Sequence, residues 1–189
     1  MARYIAVTSR ILVAFIVGLA PFLAAGQIVT GGGGPRAASL LVADGLLANC
    51  VCGSTTVADT MKTYTLPAGQ LANVGDMIHI VAGGKMAAST DAKNVRPKFG
   101  GVVLSNPIGS TAAQILWSVD IWVLKTGANT QTWWAQGGVI NIYNGNSGGT
   151  LTQTDTAPIP ITIDALNSTA ATAASISTQM LVVQYFPAS

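Results

Sequence analysis

The sequence contains no glutamate and few charged residues of any kind. Its 189 residues include nine lysines and arginines, seven acids that are all aspartate, and one histidine. Only 8% of the chain is charged, whereas about 25% is usual. Glutamate and lysine normally cover exposed helix faces, while this chain is half hydrophobic and has 21 glycines. The composition favours a β-rich protein and excludes a coiled coil, a disordered tail and an acidic interaction module.

The few positive charges are concentrated at the start of the chain. Three arginines precede the first acid, Asp44, so residues 1–38 carry +3. Residues 39–189 contain six bases and seven acids and carry −1. A nearly neutral body cannot attract a phosphate backbone through its field. We therefore expect no nucleic-acid partner.

Metal-binding residue types are also scarce. Cys50 and Cys52 are the only cysteines and His79 is the only histidine, too few for a zinc site. Two residues apart on an extended segment, the two cysteines point to the same side and do not bridge easily. We expect small buried thiols, with an inter-subunit contact or bond as the alternative. The sequence predicts no metal and no cofactor.

Residues 1–30 form an apolar segment after a short basic start. No charge lies between Arg10 and Arg36, and the stretch has the parts of a secretory signal and approaches the roughly 20 residues that span a bilayer. We expect it to be retained, helical or extended, as an anchor in an assembly. Residues 31–38 are glycine-rich and predict a flexible linker to a domain at 39–189. The predicted anchor contacts are large apolar side chains: Ile11, Leu12, Phe15, Ile16, Leu19 and Phe22.

The body shows short alternating segments separated by turn-forming residues. This pattern predicts strands rather than helices, and eight or so of them fit a β-sandwich or jelly roll. Breaks are expected at Gly137–Gly138, at 144–146 and at Gly148–Gly149, and Pro97 with Gly100–Gly101 suggests an edge or a bulge. The predicted strands are 60–66, 76–82, 95–104, 114–125, 130–135, 139–143, 159–165 and 180–186.

The clearest strand, 114–125, predicts its own core face. Ile115, Trp117, Val119, Ile121 and Val123 share one side, because side chains alternate along a strand. Ser118 and Asp120 lie on the other side. The sequence predicts that the first set is buried.

Catalysis is poorly supported by the residue types present. A Ser-His-Asp arrangement would have to use His79, which lies in an alternating strand, and a carboxylate pair would have to come from aspartates alone. Asp120 is the best single candidate, but its position predicts an outward or interface polar group. We expect no enzyme, and a hydrolase that depends on His79 and Asp120 is less favoured than the two binding or structural functions described below.

Tryptophans offer a possible binding surface. Trp122, Trp133 and Trp134 could contribute to a subunit interface or to a platform on which a sugar ring stacks. The adjacent Trp133 and Trp134 must point to opposite faces of a strand. At least one of them is therefore available to an outer surface.

Glycines and alternating apolar residues form a run of characteristic spacing in the first half of the body. The run comprises Thr65–Gly69, Leu71–Asn73, Gly75–Asp76, Ile78, Ile80, Gly83 or Gly84, Ala87–Ala88, Lys93, Val95 and Phe99–Gly101. This run resembles a segment of virion structural proteins of tailed bacteriophages. A Trp-bearing strand at Trp117, a turn at 126–129 and a closing strand near Tyr185 are similar as well, so the resemblance covers about residues 55–187.

The resemblance implies a jelly-roll-like antiparallel β-sandwich, usually trimeric, on a phage head, spike, tail or fibre. We therefore expect an anchored virion subunit that packs with copies of itself and with other virion proteins, and a host-surface glycan is a further candidate partner. The alternative is a secreted or cell-surface carbohydrate-binding sandwich whose first residues are a signal peptide. In either case Gly75–Asp76 is interpreted as the end of a tight turn in which Asp76 bonds to the neighbouring backbone. Gly100–Gly101 is interpreted as a kink or a close backbone approach between strands.

Overall fold

The structure, a computed structural model, describes residues 37–50, 58–87, 92–104, 108–110, 115–139, 142–167 and 175–189. These ranges contain twelve strands, and every pairing between them is antiparallel. The strands are β1 Ser39–Asp44, β2 Ala48–Asn49, β3 Asp59–Leu66, β4 Met77–Met86, β5 Lys93–Phe99, β6 Val102–Val103, β7 Ile108–Ser110, β8 Ile115–Gly127, β9 Thr130–Val139, β10 Ile142–Leu151, β11 Ile159–Asn167 and β12 Ile176–Phe186.

The strands form two sheets that enclose one core. Sheet A has the order β1-β12-β4-β8-β9-β10, and β2 also pairs with β12. Sheet B has the order β3-β11-β5-β6, and β7 also pairs with β5. The first strand lies beside the last and the chain moves repeatedly between sheets, which is the arrangement of a jelly roll. The predicted all-β, jelly-roll-like antiparallel sandwich is confirmed, with a β9–β10 extension of sheet A.

Alternation places the core between the sheets. On β4, Ile78, Ile80 and Ala82 are fully buried, while the residues between them are half-buried. On β8, Trp117, Val119, Ile121 and Val123 are buried while Ser118 and Asp120 are exposed. The predicted core face of β8 is therefore confirmed for these residues. The removal of their apolar side chains from water stabilises this packing.

The predicted strand 95–104 is divided in the structure. Gly100 and Gly101 adopt φ of +58° and +84°, so the chain turns between β5 and β6. Pro97 pairs with Ile163 of β11, and its carbonyl accepts from the amide of Leu104. In an antiparallel ladder the N–H and C=O of one residue face the same neighbour. The missing N–H of Pro97 therefore does not interrupt the ladder with β11.

All three predicted breaks lie inside strands. β9 continues through Gly137–Gly138, and β10 runs through residues 144–149. Gly148 and Gly149 pair directly with Trp134 and Trp133, so glycine here lies opposite indoles rather than in a turn. A large aromatic side chain on the partner strand compensates for a glycine that has none.

The cysteine expectation needs a correction. Cys50 is disulfide-bonded, so it is not the buried thiol that the sequence predicted, although it is buried. Its amide donates to the carbonyl of Ile176, which fixes it beside the start of β12. Cys52 lies outside the described residues.

The predicted anchor, residues 1–30, and most of the linker lie outside the described residues, and so do the six anchor side chains. Within the ranges that are described, no helix has both the length and the hydropathy needed to cross a membrane.

Candidate functional site

The outer face of sheet A carries a row of polar and aromatic side chains that runs across four strands. Strand register places Gln184 of β12 opposite His79 of β4, and His79 opposite Trp122 of β8. Trp122 in turn lies opposite Trp134 of β9. We call these four residues the aromatic row. All four face outward because they alternate with buried residues on their strands.

Ring stacking and hydrogen bonds order the aromatic row. The rings of His79 and Trp122 are stacked, with centroids 4.0 Å apart and planes within 11°. Trp122 and Trp134 are also nearly parallel, at 6.3 Å and 10°, and Phe186 tilts against Trp122 at 5.3 Å. The two ring nitrogens of His79 lie 3.0 Å from Gln184 Oε1 and 3.0 Å from Asp120 Oδ1. Offset parallel stacking of this kind stabilises aromatic pairs beyond their burial.

The indole of Trp134 is the accessible member of the row. Trp134 is 43% exposed, and Trp122 lies on its β8 side. On its β10 side the cross-strand partner is Gly148, which has no side chain to cover the ring. The row therefore ends in an indole with two different faces. Trp122 stacks on one face, and no side chain of the cross-strand partner covers the other.

Trp133 points the other way. Its side chain is half-buried and packs against the core, beside Gly149, where an added Cβ would lie 3.1 Å from the indole Nε1. Of the three tryptophans singled out from the sequence, the structure brings Trp122 and Trp134 together on the outer face and turns Trp133 inward.

A groove lies beside the aromatic row on the same face of the sheet. Its volume is about 930 Å³. The floor is a second cross-strand row, Gly83 opposite Ser118 and Ser118 opposite Gly138, where two glycines and a serine leave the sheet surface low. Asp120 and Gln136, which also pair across strands, border the groove on the side of the aromatic row.

The remaining border of the groove is mainly apolar and includes one exposed amide, that of Gln179 on β12. Leu116 is 44% exposed and Met180 is 39% exposed, and both line the groove. Asp120 is the one charged side chain among the lining residues, and it lies against His79. The groove thus combines apolar surface, one carboxylate, two amides and one hydroxyl, a mixture typical of small-molecule sites.

The same residues do not form a recognisable catalytic centre. Both hydrogen-bond partners of His79 are side chains of Gln184 and Asp120, and neither can act as a hydroxyl nucleophile in the manner of a Ser-His-Asp triad. Across the described ranges, no three His, Cys or Asp side chains come close enough to hold a metal ion.

Sequence reasoning found part of this site. It placed Trp122, Trp134 and an outward Asp120, but it missed that His79 and Gln184 complete a row with them. His79 and Gln184 are 105 residues apart in the chain, so no local pattern signals their contact. Gly83 gave no signal of a groove, and Gly138 was interpreted as part of a break between strands, since glycine in a strand pattern more often marks a bulge or a turn.

Comparisons with known proteins give little further information. No family model matches the chain, and no curated protein matches it. Among solved structures, the chain is similar to the EclA C-terminal domain, described as a sugar-binding protein. The two share 12% identity, the match covers 85% of each chain, and the TM-score is 0.36. At that level of similarity, the ligand of one protein says nothing about the ligand of the other.

Proposed function

We propose that this chain is a non-enzymatic carbohydrate-binding jelly-roll domain that uses the outer face of sheet A. The observation that supports the proposal is the uncovered indole face of Trp134. Trp122 stacks on the other face, and the cross-strand partner on the uncovered side is Gly148, which has no side chain. The C–H face of a pyranose ring packs well on such a surface. A tryptophan with one apolar face and a fixed orientation loses little conformational entropy on binding.

Polar side chains stand where sugar hydroxyls would need partners. Gln136 lies two residues from Trp134 on the same face of β9, about 6.8 Å along the strand. Asp120 is its cross-strand partner, and its side chain remains 51% exposed despite the contact with His79. An amide and a carboxylate together offer donors and acceptors to neighbouring hydroxyl groups.

Removal of the Trp134 indole tests this proposal. We expect Trp134→Ala to weaken saccharide binding roughly 30-fold or more, about 2 kcal/mol, as for a central aromatic contact. Binding partners are first identified on a glycan array and then measured by isothermal titration calorimetry. Val102→Ala is the matched control, because Val102 is equally exposed, at 43%, but lies in sheet B. Undiminished affinity in Trp134→Ala would contradict the proposed site.

A second candidate function is that of a virion structural subunit, exposed on a bacteriophage particle and associated with copies of itself as a trimer. It is supported by the sequence resemblance and by three leucines around β1 and β2. Leu40, Leu46 and Leu47 are 57%, 77% and 60% exposed, and exposed large apolar side chains favour an interface where they form one patch. The two functions are compatible, since a particle that displays this domain could use it to bind a host-surface glycan. The same domain on a secreted or surface-anchored protein would bind glycan without any virion partner.

Native mass spectrometry of the full chain tests the virion-subunit function through the oligomeric state. A trimer that dissociates in a Leu46→Ser/Leu47→Ser double variant supports the subunit function, whereas a monomeric wild-type chain argues against it.

A further inference from the structure

We infer, on the basis of the proposed carbohydrate-binding function, that the ligand is a linear, uncharged oligosaccharide of about four rings. One ring lies on Trp134 and the others lie in the groove, across the strands of sheet A. This inference concerns the length and charge of the ligand, which the exposed indole alone does not determine.

The groove is large enough to hold more than a single sugar ring. Its volume of about 930 Å³ lies at the upper end of the range of about 300–1,000 Å³ found for small-molecule sites. The groove reaches from Met180 on β12 to Gly138 on β9. That distance is three inter-strand spacings, about 14 Å, close to the length of about three linked pyranose rings.

The shape of the groove favours a linear chain. Its lowest line passes over Gly83, Ser118 and Gly138, which are consecutive partners across three strands. It therefore runs perpendicular to the strands rather than as a round pit. Gln136 lines the groove and is the next outward residue after Trp134 on β9, so an unbranched chain that starts on the indole passes Gln136 along β9 and then turns across the strands into the groove.

The charge of the lining favours an uncharged ligand. Asp120 is the one ionisable group that lines the groove. Lys85, the exposed cation on the same face of β4, pairs with Leu116 at the far border and is not among the lining residues. Recognition of carboxylate or sulfate groups normally uses arginine or lysine. A polyanionic glycan would instead meet the Asp120 carboxylate and be repelled.

A length series measures this inference directly. The probes are cello-, xylo- and N-acetylchito-oligosaccharides of one to six units, with oligogalacturonides of the same lengths as anionic counterparts, titrated calorimetrically into the full chain. For the neutral series that binds, we expect the association constant to rise at least tenfold from two to four units and then to level off. Oligogalacturonides should bind at least tenfold more weakly than neutral chains of equal length.

A variant that fills the groove separates its contribution from that of the indole. Ser118 is exposed on the groove floor, so Ser118→Leu raises the floor without entering the core. We expect this variant to lose the gain in affinity with chain length that the wild type shows. Thr63→Leu, an exposed threonine replaced on sheet B, is the matched control and should leave the length dependence intact.

The possible failures have different meanings. If neutral saccharides bind and Trp134→Ala weakens them, but affinity does not rise with length or Ser118→Leu behaves as the wild type, this inference is overturned and the proposed function stands. If oligogalacturonides bind as tightly as neutral chains of equal length, or more tightly, the inference that the ligand is uncharged is overturned. A change in oligomeric state of Ser118→Leu, measured by light scattering, would show that the groove is a subunit interface instead. If no probe binds the wild type, both proposals fall.

Discussion

At the scale of single residues, two tryptophans on neighbouring strands serve opposite purposes. Trp117 faces the core, is 2% exposed, and its indole Nε1 donates to the carbonyl of Ser177 at 3.0 Å. Trp134 faces outward and keeps an open ring face. A buried indole needs a hydrogen-bond partner because its N–H is otherwise desolvated without compensation. Trp117 therefore ties β8 to β12 through both packing and a polar contact.

Truncation of Trp117 should be among the most damaging core changes. We expect Trp117→Ala to lower the free energy of unfolding by about 3–5 kcal/mol, through lost apolar burial and the cavity that remains. Urea unfolding followed by circular dichroism measures it. Trp117→Phe retains much of the volume but no donor, so its loss should be smaller. A loss below about 1 kcal/mol for the alanine variant would contradict the packing role.

At the scale of elements, glycine determines how closely strands approach. β4 pairs with β12, and the register of that pair shifts between Thr178 and Met180. This irregularity brings the Ser177 backbone onto Gly84, where an added Cβ would lie 1.9 Å from the Ser177 carbonyl oxygen. Backbone cannot move aside as a flexible side chain can. Gly84 is thus required by the contact between two strands and not by a turn.

A methyl group at this position should force the strands apart. We expect Gly84→Ala to destabilise the domain by about 2 kcal/mol or more, as overpacking against backbone does. Gly45→Ala is the control, because nothing lies within 4 Å of its added Cβ, and its effect should stay within about 0.5 kcal/mol. Thermal unfolding of both variants measures the difference. Equal stability of the two variants would show that β12 moves aside without cost.

At the scale of the whole molecule, one buried carboxylate joins distant parts of the chain. Asp76 is fully buried and accepts from the amide of Asn73, the hydroxyl of Tyr185 and the amide of Ala188. Gly75 precedes it with φ of +98°, so the pair forms the turn before β4, as the sequence predicted. The same carboxylate also holds β12 and the end of the chain.

Loss of this carboxylate should lower the free energy of unfolding and free the segment around Ala188 from its contact with the turn before β4. We expect Asp76→Ala to cost about 3 kcal/mol or more, because three donors lose a charged acceptor. Asp120→Asn, on the exposed outer face, should cost less than about 1 kcal/mol. Guanidinium unfolding gives the stabilities, and hydrogen exchange at Ala188 reports release of the terminus. Continued protection of that amide in Asp76→Ala would contradict the role assigned to the carboxylate.

Much of the element pattern could be predicted from local sequence. The strands around residues 60–66, 76–82, 114–125, 159–165 and 180–186 agree with β3, β4, β8, β11 and β12 to within a few residues. Alternation of apolar and polar residues is a local signal, and burial of one face follows from it. The breaks at Gly137–Gly138, 144–146 and Gly148–Gly149 were wrong because a glycine in a turn and a glycine inside a strand look alike along the chain.

The sequence by itself determined that the body is β-rich, which side of β8 is buried, that Gly75–Asp76 makes a turn, and that adjacent tryptophans face apart. All of these follow from backbone geometry over a few residues. Only the tertiary structure decided that His79, Trp122, Trp134 and Gln184 form one row and that two glycines and a serine form the floor of a groove. Those contacts depend on which strands are neighbours and in what register, and that is settled by packing of the whole core rather than by any local segment.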